Sequence, residues 1–246
     1  MTSNTSRTAL VTGASRGIGA AISRRLARDG FAVVINYVGN QVEAQAVADQ
    51  IMQEGGRAII AQADVSNAEA VAAMFDQAEQ AFGGLDVVVN NAGVMQQATI
   101  AEFKEATFDQ SIAINLKGAF LCMQQAARRV RAGGRIINLS TSVTPLRRET
   151  YGVYCATKVA VEALTAILSK EMRGRHVTVN CVAPGPTATA LFLDGKSPEL
   201  IEQMAKLNPL ERLGTPEDIA AAVAFIAGPD GAWINGQVLR ANGGMI

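Results

Sequence analysis

The chain has 246 residues, 49% of them hydrophobic, and its 22 basic and 22 acidic side chains cancel to a formal net charge of zero. That length allows one α/β domain with a sizeable core, and the charge balance leaves no overall field to draw nucleic acid or an anionic membrane. The expected partner is therefore a small molecule. Three cysteines, Cys122, Cys155 and Cys181, form no CxxC pair, which predicts neither a disulfide framework nor a metal site and fits a reducing, cytoplasmic compartment. The opening MTSNTSRTALVTG runs from a short apolar stretch straight into a glycine-rich turn, without the basic region and long apolar core of a signal peptide. No uninterrupted apolar run reaches the ~18 residues of a membrane-spanning helix.

Apolar, β-branched runs and helical patterns then alternate. A strand over 8–12 leads to a helix over 18–29, a strand over 32–36 to a helix over 41–54, and a strand over 58–61 to a helix over 68–82. The strand over 86–90 precedes a long helix over 107–130, and 135–140 precedes a helix over 151–172. Strand 177–183, a substrate loop near 186–210, helix 216–226 and strand 237–240 complete the order. Near-continuous apolar strands separated by helices predict an α/β fold, with seven parallel strands in a doubly wound sheet. Ser66 with Glu69 is read as a capping box, and Thr215 before Pro216 as a helix start. No linker or repeat divides the chain, so residues 1–246 read as one domain.

Directly after the first strand stands TGASRGIG, in which Gly13, Ser15, Arg16, Gly17, Ile18 and Gly19 form a turn that opens a helix. Glycines let a pyrophosphate approach the backbone, and the helix N-terminus offers it unpaired N–H groups and a partial positive charge. The end of strand two, where an acid would hold the ribose 2′-OH of NAD, reads Asn36. With no carboxylate there and Arg16 in the loop, NADPH is expected over NADH, with NADH still possible.

On a helix, residues four apart share a face, so Tyr154 and Lys158 should project into one pocket. An adjacent ammonium favours the phenolate, and the sequence therefore predicts a Tyr154 pKa below the ordinary ~10 and a role in proton exchange near neutral pH. Tyr151 lacks a basic partner at helical spacing and reads as a pocket wall. His176, the single histidine, reads as a strand-end residue and Asp86 as a strand start, so no metal ligands are expected.

The TGxxxGxG turn, the Asn90-Asn91-Ala92-Gly93 element, Asn115 in INLKG, the YxxxK pair and Asn242-Gly243-Gly244 together resemble the short-chain dehydrogenase/reductase family, with overall similarity to its 3-oxoacyl carrier-protein reductases. The resemblance implies a Rossmann fold and NAD(P)-dependent hydride transfer at a carbonyl or alcohol carbon. It also implies cofactor contacts at Asp64, Val65, Asn91, Ala92, Gly93, Pro184, Gly185, Thr187 and Thr189, beside Tyr154 and Lys158. It gives Asn115 a place in a water-linked proton relay with Lys158. The family commonly has a serine thirteen residues before the tyrosine; here residue 141 is threonine, flanked by Ser140 and Ser142. Strand alternation favours Thr141, whereas a loop one residue shorter would bring in Ser142, and both are kept as candidates. Arg147 and Arg148 are read as bordering the substrate entrance and favouring an anionic substrate. The helix over 151–172 has little polar face, and with the family's pairing of central helices this implies a homotetramer. The alternatives are an NAD-dependent alcohol dehydrogenase and a non-catalytic dinucleotide-binding regulator.

Overall fold

Strand β1 (Thr8–Val11) is buried along its whole length, and its successive side chains divide between two cores: Ala9 and Val11 join one, Leu10 the other. The same split recurs in β2 (Ala32–Tyr37), with Val33 and Ile35 opposite Val34. Side chains alternate along a strand, so both sets are buried only if helices cover both faces of the sheet. The computed structural model describes residues 7–246 and meets that requirement. Helices α1 (Gly17–Arg28) and α2 (Gln41–Gln53) cover one face, together with α10 (Pro216–Ala227) near the end of the chain. Helices α3 (Ala68–Phe82), α5 (Ala119–Arg129) and α7 (Gly152–Glu171) cover the other.

With β3 (Arg57–Gln62), β4 (Leu85–Asn90), β5 (Val130–Leu139), β6 (Thr178–Pro184) and β7 (Val238–Ala241), the strands form one sheet in the order β3-β2-β1-β4-β5-β6-β7. Every pairing is parallel. The chain winds outward from β1 in one direction and then, from β4, in the other, which opens a crevice at the carboxyl ends of β1 and β4.

Several boundaries differ from the sequence reading. The long helix expected over 107–130 is three pieces: α4 (Glu105–Ser111), a π-helical turn Ile112–Gly118, and α5. A π-turn spends an extra residue per turn, which hydrophobic periodicity does not signal. Strand β5 starts at Val130, and its pairing with β4 slips between Leu85 and Val87. The α3 N-cap is Asn67, whose side chain accepts from Ala70 N, while Ser66 bonds to Asp64; the Ser66/Glu69 capping box is therefore not formed. Thr215 does cap α10, in a reciprocal box with Asp218. Three short helices break up stretches read as loop: α6 (Val143–Leu146), α8 (Ala190–Leu193) and α9 (Pro198–Ala205). Helix α7 is, by length and composition alone, long and apolar enough to cross a bilayer, yet it carries Lys158 buried against the sheet.

Candidate active site

The glycine turn after β1 is braced from both sides. Gly13 has φ +60°, and a Cβ there would lie 2.9 Å from Ala92 Cα; at Gly19 it would lie 2.6 Å from Asn91 Nδ2. No side chain fits in either place. Asn91 Nδ2 donates to the carbonyls of Thr12 and Gly13, and the Thr12 hydroxyl accepts from the backbone N–H groups of Asn91 and Ala92. Helix α1 then begins at Gly17 with no side-chain cap from Arg16 and no acid in its first turn. Its leading N–H groups and dipole thus face the crevice without an internal anion, beside the partly open Ser15 and Ile18 and the exposed Arg16. These residues fit the pyrophosphate of a dinucleotide.

Asn36 has a different role from the one expected. It is 2% exposed; its Oδ1 accepts from Gly13 N, and its Nδ2 donates to the carbonyls of Ala61 and Ala63. The amide is committed to lacing β2 to β3 and to the glycine turn, so it does not meet a 2′-phosphate. Strand β2 ends one residue later, and its last position is Tyr37. The absence of a carboxylate therefore holds, with the position moved by one. Asp64 is exposed and its carboxylate is turned onto Ser66, while Val65 is buried against Gly118 of the π-turn, where a Cβ would lie 2.7 Å from the Val65 side chain.

Helix α7 places Tyr154 and Lys158 on one side, as their spacing predicts. Lys158 is 5% exposed, its Nζ donates to Leu139 O at 2.8 Å, and it lies 5.8 Å from the Tyr154 ring centroid. Burial pushes the lysine down to about 8 and the Tyr154 phenol up to about 12. The expected lowering of the phenol does not occur: desolvation dominates, offset in part by a hydrogen bond with the Thr141 side chain. In this setting Tyr154 is an acid held protonated, with an ammonium close by to stabilise the anion it would leave.

The same hydrogen bond separates the two hydroxyl candidates. Thr141 faces Tyr154, whereas Ser142 is 1% exposed, donates to Ala183 O and accepts from Asn242 Nδ2. Ser142 is thus a tie between β5, β6 and the C-terminal segment; both hydroxyls line the cavity, but Thr141 is the one that acts on the Tyr154 phenol. Asn115, buried in the π-turn, is fixed by reciprocal bonds with Val94 N and O at 2.8 Å. A Cβ on Gly93 would sit 3.2 Å from Asn115 Oδ1 and 3.6 Å from Lys158 Nζ. The bare Gly93 backbone is what lets these two groups share one corner.

Tyr154, Lys158 and Thr141 line a cavity of about 160 Å³ together with Ile18, Asn91, Gly93, Pro184, Gly185, Thr187 and Thr189. Thr189 caps α8 and lies against Gly17, so this loop closes over the glycine turn. Ser140, Ser142 and Val143 line it too, and the rest of the wall is largely apolar, with residues that the sequence reading missed: Val94, Met95, Leu191, Phe192, Met204 and Met245. They come from four separate segments, and only the tertiary structure gathers them. Tyr151 is a wall, as expected, its hydroxyl accepting from Gln97. Of the arginine pair only Arg148 reaches the cavity; Arg147 ends α6 at φ 48° and is exposed outside it. His176 is exposed, and no cluster of metal-ligating side chains occurs among the described residues.

Known proteins resemble this chain along nearly all of its length. The family model described as enoyl-(acyl carrier protein) reductase matches residues 13–246. A short-chain type dehydrogenase/reductase of Picea abies is 49% identical over 98% of this chain and 92% of its own. An NADPH-dependent aldehyde reductase-like protein, chloroplastic, of Arabidopsis thaliana is 44% identical over 98% of this chain and 94% of its own. Among solved structures, a short-chain dehydrogenase from Burkholderia cenocepacia J2315 in complex with NADP superposes with a TM-score of 0.92 at 37% identity, covering 97% of each chain.

Proposed function

Because the chain belongs to the short-chain dehydrogenase/reductase family, and so is an NAD(P)-dependent oxidoreductase acting on carbonyl or alcohol groups, we propose that it is an NADPH-preferring reductase of apolar aldehydes and ketones. The observation that carries this reading is the Tyr154 phenol, held protonated up to about 12 beside the Thr141 hydroxyl in a largely apolar cavity. Bound NADPH supplies the hydride. Thr141 donates a hydrogen bond to the substrate oxygen and fixes it over Tyr154, whose O–H passes its proton to that oxygen as negative charge develops. Lys158, whose ammonium lies 5.8 Å from the Tyr154 ring centroid and is itself buried, then offsets the phenolate charge. Asn115 holds the Val94 backbone and so the wall facing Lys158.

NADPH is preferred in this reading because Arg16 is exposed beside the glycine turn and neither Asn36 nor Tyr37 is an acid. The Arabidopsis relative named NADPH-dependent points the same way. The apolar wall favours hydrophobic substituents, with Arg148 alone at the rim to attract an anionic tail. A homotetramer in the cytoplasm completes the proposal, the compartment resting on three free thiols. The test follows cofactor absorbance with both reduced cofactors against apolar aldehydes and ketones, anionic ketones and a 3-ketoacyl thioester. Oxidation of NADPH by apolar carbonyls, about tenfold or more favoured over NADH in kcat/KM, is the expected result. Cofactor binding without turnover across the panel would instead identify a non-catalytic dinucleotide-binding protein, and equal use of NADH would refute the cofactor preference.

A further inference from the structure

Helix α7 carries a third polar group on the side that bears Tyr154 and Lys158. Glu162 stands four residues beyond Lys158 and eight beyond Tyr154, so it rises along the same face. It is partly buried. Its Oε1 accepts from the Ser140 hydroxyl in a short hydrogen bond and lies 3.3 Å from the Thr144 hydroxyl. Ser140 and Thr144 bracket Thr141 and are themselves 4% and 9% exposed. The Thr144 hydroxyl also reaches the Thr141 carbonyl at 3.1 Å, so its one proton is shared between that carbonyl and Glu162. Thr141 Oγ1 in turn accepts from Val143 N at 3.3 Å.

We propose that Glu162 is a positioning residue, a clamp that ties the end of β5 and the start of α6 to α7 and thereby sets the Thr141 hydroxyl against Tyr154. Three facts converge on it. The carboxylate meets hydroxyls on both sides of Thr141, and both donors are buried where water is a poor substitute. Thr141 and Tyr154 sit on separate elements, so their geometry depends on a link between those elements, and a misplacement of about 1 Å is enough to slow a reaction markedly. Glu162 itself does not line the cavity, so its effect passes through Thr141.

The proposal rests on the reductase reading, and its test has one arm that does not. In protein carrying 13C-methyl threonine, Glu162→Ala should move the Thr141 methyl resonance, and Glu162→Gln, whose amide oxygen can accept the same bonds, should bring it back. In turnover, Glu162→Ala should lower kcat about tenfold or more while KM and NADPH affinity, read by fluorescence titration, stay within about twofold. Gln should restore most of the rate. Adding Ser140→Ala and Thr144→Val to Glu162→Ala should cost little more, because all three remove one linkage. If Glu162→Ala does not fold, Ser140→Ala with Thr144→Val removes the same bonds from the other end and should give the same shift and loss. An unmoved Thr141 methyl, full kcat in Glu162→Ala, or a Gln variant as impaired as Ala would overturn the clamp. A wild-type protein without turnover would refute the reductase reading, and the methyl shift would still decide the clamp.

Discussion

Two hydroxyls one residue apart meet different surroundings, and the difference decides which of them can act. Thr141 faces Tyr154, whereas both bonds of Ser142 are spent on Ala183 and Asn242. Thr141→Val should therefore cut kcat by roughly ten- to a thousandfold, the range for losing one donor at a developing oxyanion. Ser142→Ala should keep the rate and lose thermal stability; the reverse pattern would mean that the strand end is misassigned. A second consequence comes from the opposed shifts of Tyr154 and Lys158. Lys158 is a cation below its pKa and neutral above it, so with that value at about 8 its charge disappears as the pH rises through this point, while Tyr154 keeps its proton up to about 12. The kcat/KM for reduction should fall above pH 8 through loss of the ammonium, and Lys158→Met should lower activity and remove that limb. A wild-type profile flat to pH 10 would show that the lysine charge is not used. Strand alternation also moves the cofactor switch: Tyr37→Asp should turn preference toward NADH in paired kcat/KM measurements, since its carboxylate would repel a 2′-phosphate and accept from a 2′-OH.

Wherever periodicity speaks, the elements were legible from the chain itself: the Ala9, Leu10, Val11 alternation forces helices onto both faces of the sheet, and the TGASRGIG turn sits where β1 meets α1. Tyr154 and Lys158 were legible for the same reason, being four apart on one helix. Other features carry no local period. The π-turn holding Asn115, the helices α6, α8 and α9, and the cavity wall of Met95, Met204 and Met245 arise from contacts between distant segments. Asn36 failed for a subtler reason. A shift of one residue along a strand turns the side chain to the other face, and it is the bonds to Gly13, Ala61 and Ala63 that settle its direction. Asn36→Asp should accordingly behave as an element-level defect. The Nδ2 bonds to the Tyr37, Ala61 and Ala63 carbonyls would be replaced by a carboxylate against three carbonyl oxygens, costing about 1–3 kcal/mol or more. A lower Tm and weaker binding of both cofactors are expected. Normal stability with a preference turned toward NADH would restore the original reading of that position.

For the molecule as a whole, the apolar surface left outside argues for assembly, and it does so in two places. Along α7 the exposed positions Ala156, Val159, Ala163 and Ile167 recur at three- and four-residue steps, and Lys170 ends the row. Val159 is 49% and Ile167 54% exposed. Such a row, on a different side from the sheet-facing Val161, Thr165 and Leu168, is the pattern expected of a helix that packs against another helix. Further apolar side chains stand exposed from α10 to the C-terminus, Phe225, Trp233 and Ile246, with Trp233 almost completely so at 97%, and they are the expected second patch. One self-complementary patch closes a dimer; two independent patches related by different axes build a dimer of dimers. The expected state is therefore a tetramer, which light scattering or sedimentation would report as four chains over a wide concentration range. Ala163→Glu places a charge in the α7 seam and Trp233→Lys one in the other patch, so each should yield dimers and the pair together monomers. Because α7 also carries Tyr154, Lys158 and Glu162, loss of its seam should lower both Tm and turnover, whereas loss of the second patch should leave turnover nearer normal. A wild-type chain that stays monomeric at every concentration, or an Ala163→Glu variant that remains a fully active tetramer, would show that this seam is not where copies meet.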